Sequence, residues 1–198
     1  MTKGFGNMEL IDVVDENNEL LGITEEREIV HKKNLWHRLV SCWIMNERGE
    51  ILLQKRSHTK IRNPVKWART GGHVNYCENV EEAIIREIKE EIGIDILKTN
   101  LKLLWTYKSN SICDRYFGYD FFVNVTYKID EYVLQEDEVS DIQYMTIEKM
   151  ESLKEQNNRD YSFSDWDDDF FNKIIQLLKN ERKKVISVEK NNNKILQN

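Results

Sequence analysis

Cysteine is scarce in this chain, with three among 198 residues. Cys42, Cys77 and Cys113 are odd in number and lack metal-ligand spacing. That excludes a disulfide framework and argues for a reducing, cytoplasmic setting. Long apolar runs are missing as well. No stretch approaches the roughly 20 residues of a membrane span, and Met1 to Asn7 carries no apolar signal region. Nor is there a basic surplus: 29 Lys and Arg face 35 Asp and Glu, a formal net charge of −6. This argues against a grip on nucleic-acid polymers, which demands a basic footprint. A small phosphorylated substrate remains compatible, because a bound metal changes the local field. No internal repeat is evident, and a chain of this length buries a core without staples.

What is present is an unusual concentration of acid. From Gly72 the chain runs through Glu78 to Arg86-Glu87-Ile88-Lys89-Glu90-Glu91-Ile92-Gly93-Ile94. On a helix of 3.6 residues per turn, Glu87, Glu90 and Glu91 crowd one face. Like charges at that spacing destabilise an isolated helix by about 0.2–0.5 kcal/mol per pair. A hard cation would convert the liability into a ligand set, since magnesium takes oxygen donors and binds through few carboxylates plus substrate phosphates. Ile84, Ile85, Ile88 and Ile92 form an apolar stripe for docking on a sheet. Asn79 with Glu82 predicts a capping box, and Gly93 a left-handed C-terminal cap. Arg86 stands close enough to hold a carboxylate in place.

Elsewhere the pattern predicts an N-terminal hairpin over residues 8–23, its strands at Glu9 to Val14 and Leu20 to Ile23. A second pair, His37 to Met45 and Ile51 to Gln54, flanks Asn46 to Gly49. The only proline, Pro64, lies in the loop ahead of the acidic helix. Strands follow at Leu101 to Tyr107, Tyr116 to Lys128 and Asp141 to Met145, with a short helix at Ile147 to Leu153. An amphipathic helix spans 163–178, burying Phe170, Ile174, Ile175 and Leu178. Asp165, Asp167, Asp168 and Asp169 read as capping and solvated charge at its start. Residues 181–198 form a Lys/Asn-rich tail that is expected to fray.

Gly72, Glu78, Arg86, Glu87, Ile88, Glu90, Glu91, Gly93 and Ile94 resemble the Nudix box at every fixed position. The resemblance implies an α/β fold: one Nudix α/β/α sandwich with a mixed sheet over residues 1–180, including the hairpin and the C-terminal helix. It implies Mg²⁺-assisted hydrolysis, with Mn²⁺ an alternative ion, of a diphosphate linked to another moiety. Glu87, Glu90 and Glu91 would be the metal-binding acids, joined by a backbone carbonyl near Gly71. Arg86 would orient them, and Gly72, Glu78 and Gly93 would shape the motif.

A second similarity, over residues 9 to 94, is to the isopentenyl-diphosphate isomerase branch of the same superfamily. It rests on Glu9 to Asn17, Gly22, His31, His37-Arg38, Gln54 to Ser57, Lys60, Pro64, Trp67 and Gly71-Gly72-His73. Those isomerases hold a metal through several histidines and use a cysteine and a glutamate on carbon. His31, His37 and His73 fall near the ligand positions, but Gly71 stands where the cysteine belongs, and Cys77 is six residues later. An intact acidic box without that cysteine favours hydrolysis, because losing one carbon acid or base costs orders of magnitude in rate. The histidines are then expected to be partly inherited architecture, with His37 and His73 the candidates for lining the site. Arg56 and Lys60 match diphosphate-holding positions, and guanidinium forks suit phosphate oxygens. Glu87 is one candidate base, and Glu138, in an acidic segment before the last strand, is another.

The expected substrate is a small-molecule diphosphate, a nucleoside di- or triphosphate ahead of a nucleotide sugar or an isoprenoid diphosphate. Trp36, Trp43, Trp67, Trp105 and Tyr107 are aromatic candidates for stacking or for core. Isomerisation and a non-catalytic nucleotide-binding module are the alternatives. A monomer or a homodimer is expected.

Overall fold

The hairpin strands His37–Asn46 (β3) and Ile51–Arg56 (β4) touch at a single register pair, Met45 with Ile51, and then diverge. That splay creates the space the site occupies in the computed structural model, which describes residues 9–60 and 62–195. Met1 to Asn7 and the last three tail residues lie outside the described range. On one side of the gap β3 runs parallel to β8 (Arg115–Val125), which pairs antiparallel with β7 (Lys102–Asn110). On the other side β4 pairs antiparallel with β9 (Val139–Met145). The segment that bridges them is short. Trp67–Ala68 (β5) pairs with the end of β4, and Thr70–His73 (β6) pairs with β3.

Strand alternation sends side chains to two faces. Cys42 and Ile44 of β3, Leu52 of β4, and Phe121 and Val123 of β8 pack under Ala83, Ile84, Ile88 and Ile92 of the helix Val80–Ile92 (α2). Trp43, Met45, Ile51, Leu53 and Phe122 face the opposite way. They are covered by Ile147–Glu155 (α3) and Asp168–Ile195 (α4). The result is the expected α/β/α sandwich on a mixed sheet. Each fully buried Ile or Leu contributes about 1.5–3 kcal/mol.

The expected caps form around α2. Asn79 accepts from the Glu82 amide while Glu82 accepts from the Asn79 amide, and Gly93 sits at φ 76°. A Cβ at Gly93 would lie 2.7 Å from the Val133 Cβ, so glycine answers both the backbone and the space. Beside this body, Leu10–Val14 (β1) and Leu20–Glu26 (β2) form the N-terminal hairpin, followed by the helix Arg27–Lys32 (α1).

Four sequence readings need correction. The second hairpin is a pair at its base alone, since β4 finds its long partner in β9. Neither α1 nor the short bridging strands β5 and β6 were expected, because glycines at 71 and 72 weaken a strand pattern. The last helix begins at Asp168, with Asp167 accepting from the Phe170 amide. Its buried residues are Phe171, Ile174, Ile175 and Leu178, while Phe170 is half-buried. It also continues to Ile195 through most of the tail expected to fray. No proline or glycine interrupts it, and Glu181 is buried between Lys102 and Lys184 at 2.6 and 2.7 Å.

Candidate active site

Arg86 ties three pieces of chain together. Its Nε and Nη2 donate to the two Glu78 oxygens at 2.9 and 3.0 Å, and Nη2 also donates to the His73 carbonyl at 3.0 Å. Nη1 donates to Glu87 at 2.8 Å and to Glu90 at 3.0 Å. The loop, β6 and α2 are thereby fixed around one cation. Gly72 contributes by lacking a side chain, since a Cβ there would lie 2.2 Å from Glu87 Oε1.

The three ridge acids differ in surroundings. The Glu90 side chain is 52% exposed, whereas Glu91 is buried. Glu91 Oε2 accepts from Gln54 Nε2 at 2.9 Å and from the Gly71 amide at 3.2 Å. Burial pushes Glu87 up to about 7 against the pull of Arg86. Burial, and next the charge of Glu87, push Glu91 up to about 8, opposed by the bonds from Gln54 and Gly71. Two desolvated carboxylates side by side ionise readily only with a counter-charge. Oxygen donors in that state fit a hard divalent cation.

A second donor cluster adjoins the ridge. His31 of α1, His37 of β3 and His73 of β6 bring ligand nitrogens within 4.8 Å of one another. His37 Nδ1 lies 3.0 Å from the Leu35 carbonyl, which only accepts, so the proton sits on Nδ1. The Nε2 lone pair is then left buried and unpartnered among the described residues. Burial lowers the pKa of both His37 and His73, keeping them neutral as ligands must be. Asp114 Oδ1 stands 3.2 Å from His31 Nδ1 and 3.8 Å from His37 Nε2. Burial opposes its charge, yet hydrogen bonds from His31 and Arg62 hold Asp114 at about 2. Nitrogen donors with one carboxylate suit zinc or another first-row metal better than magnesium.

Between these groups opens a cleft of about 730 Å³. Of the residues singled out in the sequence, Arg56, Lys60, Gly71, Gly72, His73, Arg86, Glu87, Glu90, Glu91 and Glu138 line it. Glu78 acts at one remove, through Arg86, and Gly93 closes the far end of α2. The geometry adds detail to these expectations. His37 is fully buried and meets the other histidines instead of the cleft. All three histidines meet in one cluster. Gly71 reaches the ridge through its amide, which donates to Glu91. Lys60 and Glu138 are salt-bridged to each other, so each already has an opposite charge.

Gln54, Arg69, Asp114 and Trp166 escaped the sequence reading. Gln54 stood inside the quoted Gln54 to Ser57 run, but its burial against Glu91 could not be foreseen. Of the aromatics, Trp43 is core and Tyr107 lines the cleft.

A family model, the NUDIX domain, matches residues 35–167. The chain belongs to the Nudix family. Among curated relatives, a Nudix hydrolase of Listeria innocua described as uncharacterized is 32% identical over 148 residues, covering 74% of this chain and 85% of its own. An isopentenyl-diphosphate Delta-isomerase of Photorhabdus laumondii is 28% identical over 170 residues, 84% of this chain and 90% of its own. Among solved structures, a Deinococcus radiodurans protein superposes with a TM-score of 0.61 at 21% identity. That match covers 73% of this chain and 87% of the other, and shows the fold. Nudix hydrolases and Nudix-fold isomerases thus both stand among its relatives. Among the described residues no helix is long and apolar enough to cross a membrane.

Proposed function

We propose that this Nudix protein hydrolyses a small diphosphate compound, a nucleoside di- or triphosphate first, with Mg²⁺ at Glu87, Glu90 and Glu91. One observation carries the choice over isomerisation. A Cβ on Gly71 would lie 2.2 Å from the Val40 carbonyl oxygen and 2.8 Å from Ser41 Cα. The backbone at the position of the isomerase cysteine therefore has no room for a thiol side chain. Cys42 is buried, with its thiol pushed far above its ordinary range by burial, and so does not replace it.

Divalent metal use is general to the family, and a cation bound at the ridge supplies charge neutralisation and an acidified water. The chain's own residues do the rest. Gln54 and the Gly71 amide hold Glu91 in one orientation. Arg86 holds Glu87 and Glu90, and its bidentate grip on Glu78 keeps the loop from moving away. Glu87, with its affinity for a proton near neutrality, is suited to accept one from the attacking water. Arg56 and Lys60 face the diphosphate oxygens, and Lys60 passes from Glu138 to phosphate when substrate enters. Glu138 is freed by that exchange as a second proton acceptor.

The histidine cluster supports a second reading, isomerisation, because it reproduces the ligand set that the similarity implied. A single assay separates them. Magnesium-dependent release of phosphate or nucleoside monophosphate from a panel of diphosphates supports hydrolysis. Conversion of isopentenyl diphosphate to its allylic isomer without such release refutes it. Three free cysteines accord with a reducing compartment such as the cytoplasm.

A further inference from the structure

We propose that Arg69 is the specificity-determining residue of the cleft, reading a heteroaromatic base that carries in-plane hydrogen-bond acceptors. The inference rests on the cleft being the diphosphate site, and it names the chemistry of the group attached to the diphosphate.

Arg69 sits where the bridging segment crosses from β4 to β3, between β5 and β6. Its guanidinium lies 4.6 Å from the Trp166 ring centroid and 5.4 Å from that of Trp43. Nε donates to Asp120 Oδ1 at 3.2 Å, and Nη2 donates to the Tyr107 hydroxyl at 3.2 Å. Nη1 has no hydrogen-bond partner among the described residues. Two indoles thus lie against the guanidinium and Asp120 holds one edge, with Tyr107, Tyr116 and Trp166 completing that wall of the cleft.

Stability does not call for such a group. Asp120 is fully buried and Arg69 nearly so, and replacing a buried ion pair with apolar residues of similar volume is often neutral or stabilising. A guanidinium fixed by these neighbours with Nη1 left free is instead a recognition device, since that nitrogen can donate to an in-plane oxygen or nitrogen acceptor on a base edge. Its placement fits. Arg69 is two residues before Gly71, whose amide holds Glu91, and two extended residues span about 6.6 Å. The group next to a diphosphate seated on the ridge would meet this wall. A hydrocarbon tail would instead bury the Nη1 donors with no acceptor, at a cost.

The test is equilibrium binding to the full chain, read by calorimetry with Mg²⁺ present. The probes are methylene-bridged guanosine and adenosine diphosphates, with methylenediphosphonate as the reference lacking a base. The wild-type chain should prefer a nucleotide analogue to the reference. Arg69→Met should lower that preference about 10- to 100-fold, the range of one hydrogen bond from a charged group. It should also strengthen binding of geranyl diphosphate. Because Arg69→Met leaves Asp120 unpaired, Arg69→Met/Asp120→Asn is measured beside it and is the variant read if the single one fails to fold. Equal binding of nucleotide and reference by the wild type, or a parallel loss of both in the variant, would overturn the proposal. These arms do not depend on turnover: a wild type that binds selectively yet cleaves nothing would sink hydrolysis while sustaining Arg69.

Discussion

The carboxylate ridge and the histidine cluster are neighbours that share β6, yet they are built on opposite plans. Gly71 and Gly72 serve the ridge, the first through its amide on Glu91 and the second by leaving room for Glu87. His73, one residue on, gives its carbonyl to Arg86 and its ring to the cluster. The ridge draws its acids from one helix, keeps one of them open to solvent, and offers oxygen. The cluster draws nitrogens from α1, β3 and β6 and lies mostly below the surface. The difference teaches that one strand can serve both a ridge of oxygen donors facing the cleft and a buried cluster of nitrogen donors. Each is recognisable by its donors.

The sharpest way to break that distinction is to remove one donor from each side. Glu91→Gln should reduce magnesium-dependent hydrolysis by roughly 10²–10³-fold, the scale of losing a preorganised electrostatic contact in a transition state. His31→Ala should cost less, about 10- to 100-fold, the scale typical of groups outside the reacting centre. Steady-state rates of the two variants decide the matter, and a larger loss from His31→Ala would invert the assignment.

Gly71→Cys probes the boundary itself. The added Cβ meets the Val40 carbonyl and Ser41, so stability should fall by about 1–3 kcal/mol, as overpacking does. No isomerase activity should appear. Urea melts and an isomerase assay check both parts, and a stable, isomerising variant would count against the reading of Gly71.

Gln54→Ala leaves every ligand in place but frees Glu91. Magnesium affinity, read by competition with Mn²⁺, should weaken about 10- to 100-fold, as for other residues that orient ligands. An unchanged affinity would make Gln54 a packing residue only.

The smallest effect is in pH. Glu87 and Glu91 have folded values near 7 and 8, above the ordinary 4.5. Their contribution to the metal-free fold is present below 4.5 and is lost as pH rises through those two values. Thermal melts without metal should therefore decline from about pH 5 to about pH 8.5, while the stabilisation by Mg²⁺ grows over the same interval, as cation and proton compete. A metal-free melting curve that rises over that interval would contradict the burial of these acids.

How much of this was legible depended on how locally each feature is encoded. The ridge was, because Glu87, Glu90, Glu91 and Arg86 share two turns of one helix and their spacing alone puts them together. The caps at Asn79 and Gly93 were legible for the same reason. The histidine cluster was legible only through the isomerase resemblance, because positions 31, 37 and 73 meet through a hairpin, a parallel strand pair and a bridge that periodicity does not reveal. Arg69 looked like one charge among many, and its meaning comes from Trp166, 97 positions away. The tail was misread because Lys and Asn are tolerated in a helix whose anchor, Lys102 to Glu181, lies outside the local sequence.

Electron spin resonance of bound Mn²⁺, titrated with methylenediphosphonate, tests the central claim most directly. In the wild-type chain the account predicts a bound signal whose line shape changes when the diphosphonate is added. It predicts that His31→Ala retains this response and that Glu87→Gln/Glu91→Gln loses it. A double glutamate variant that still binds Mn²⁺ and still responds to the diphosphonate would contradict the account.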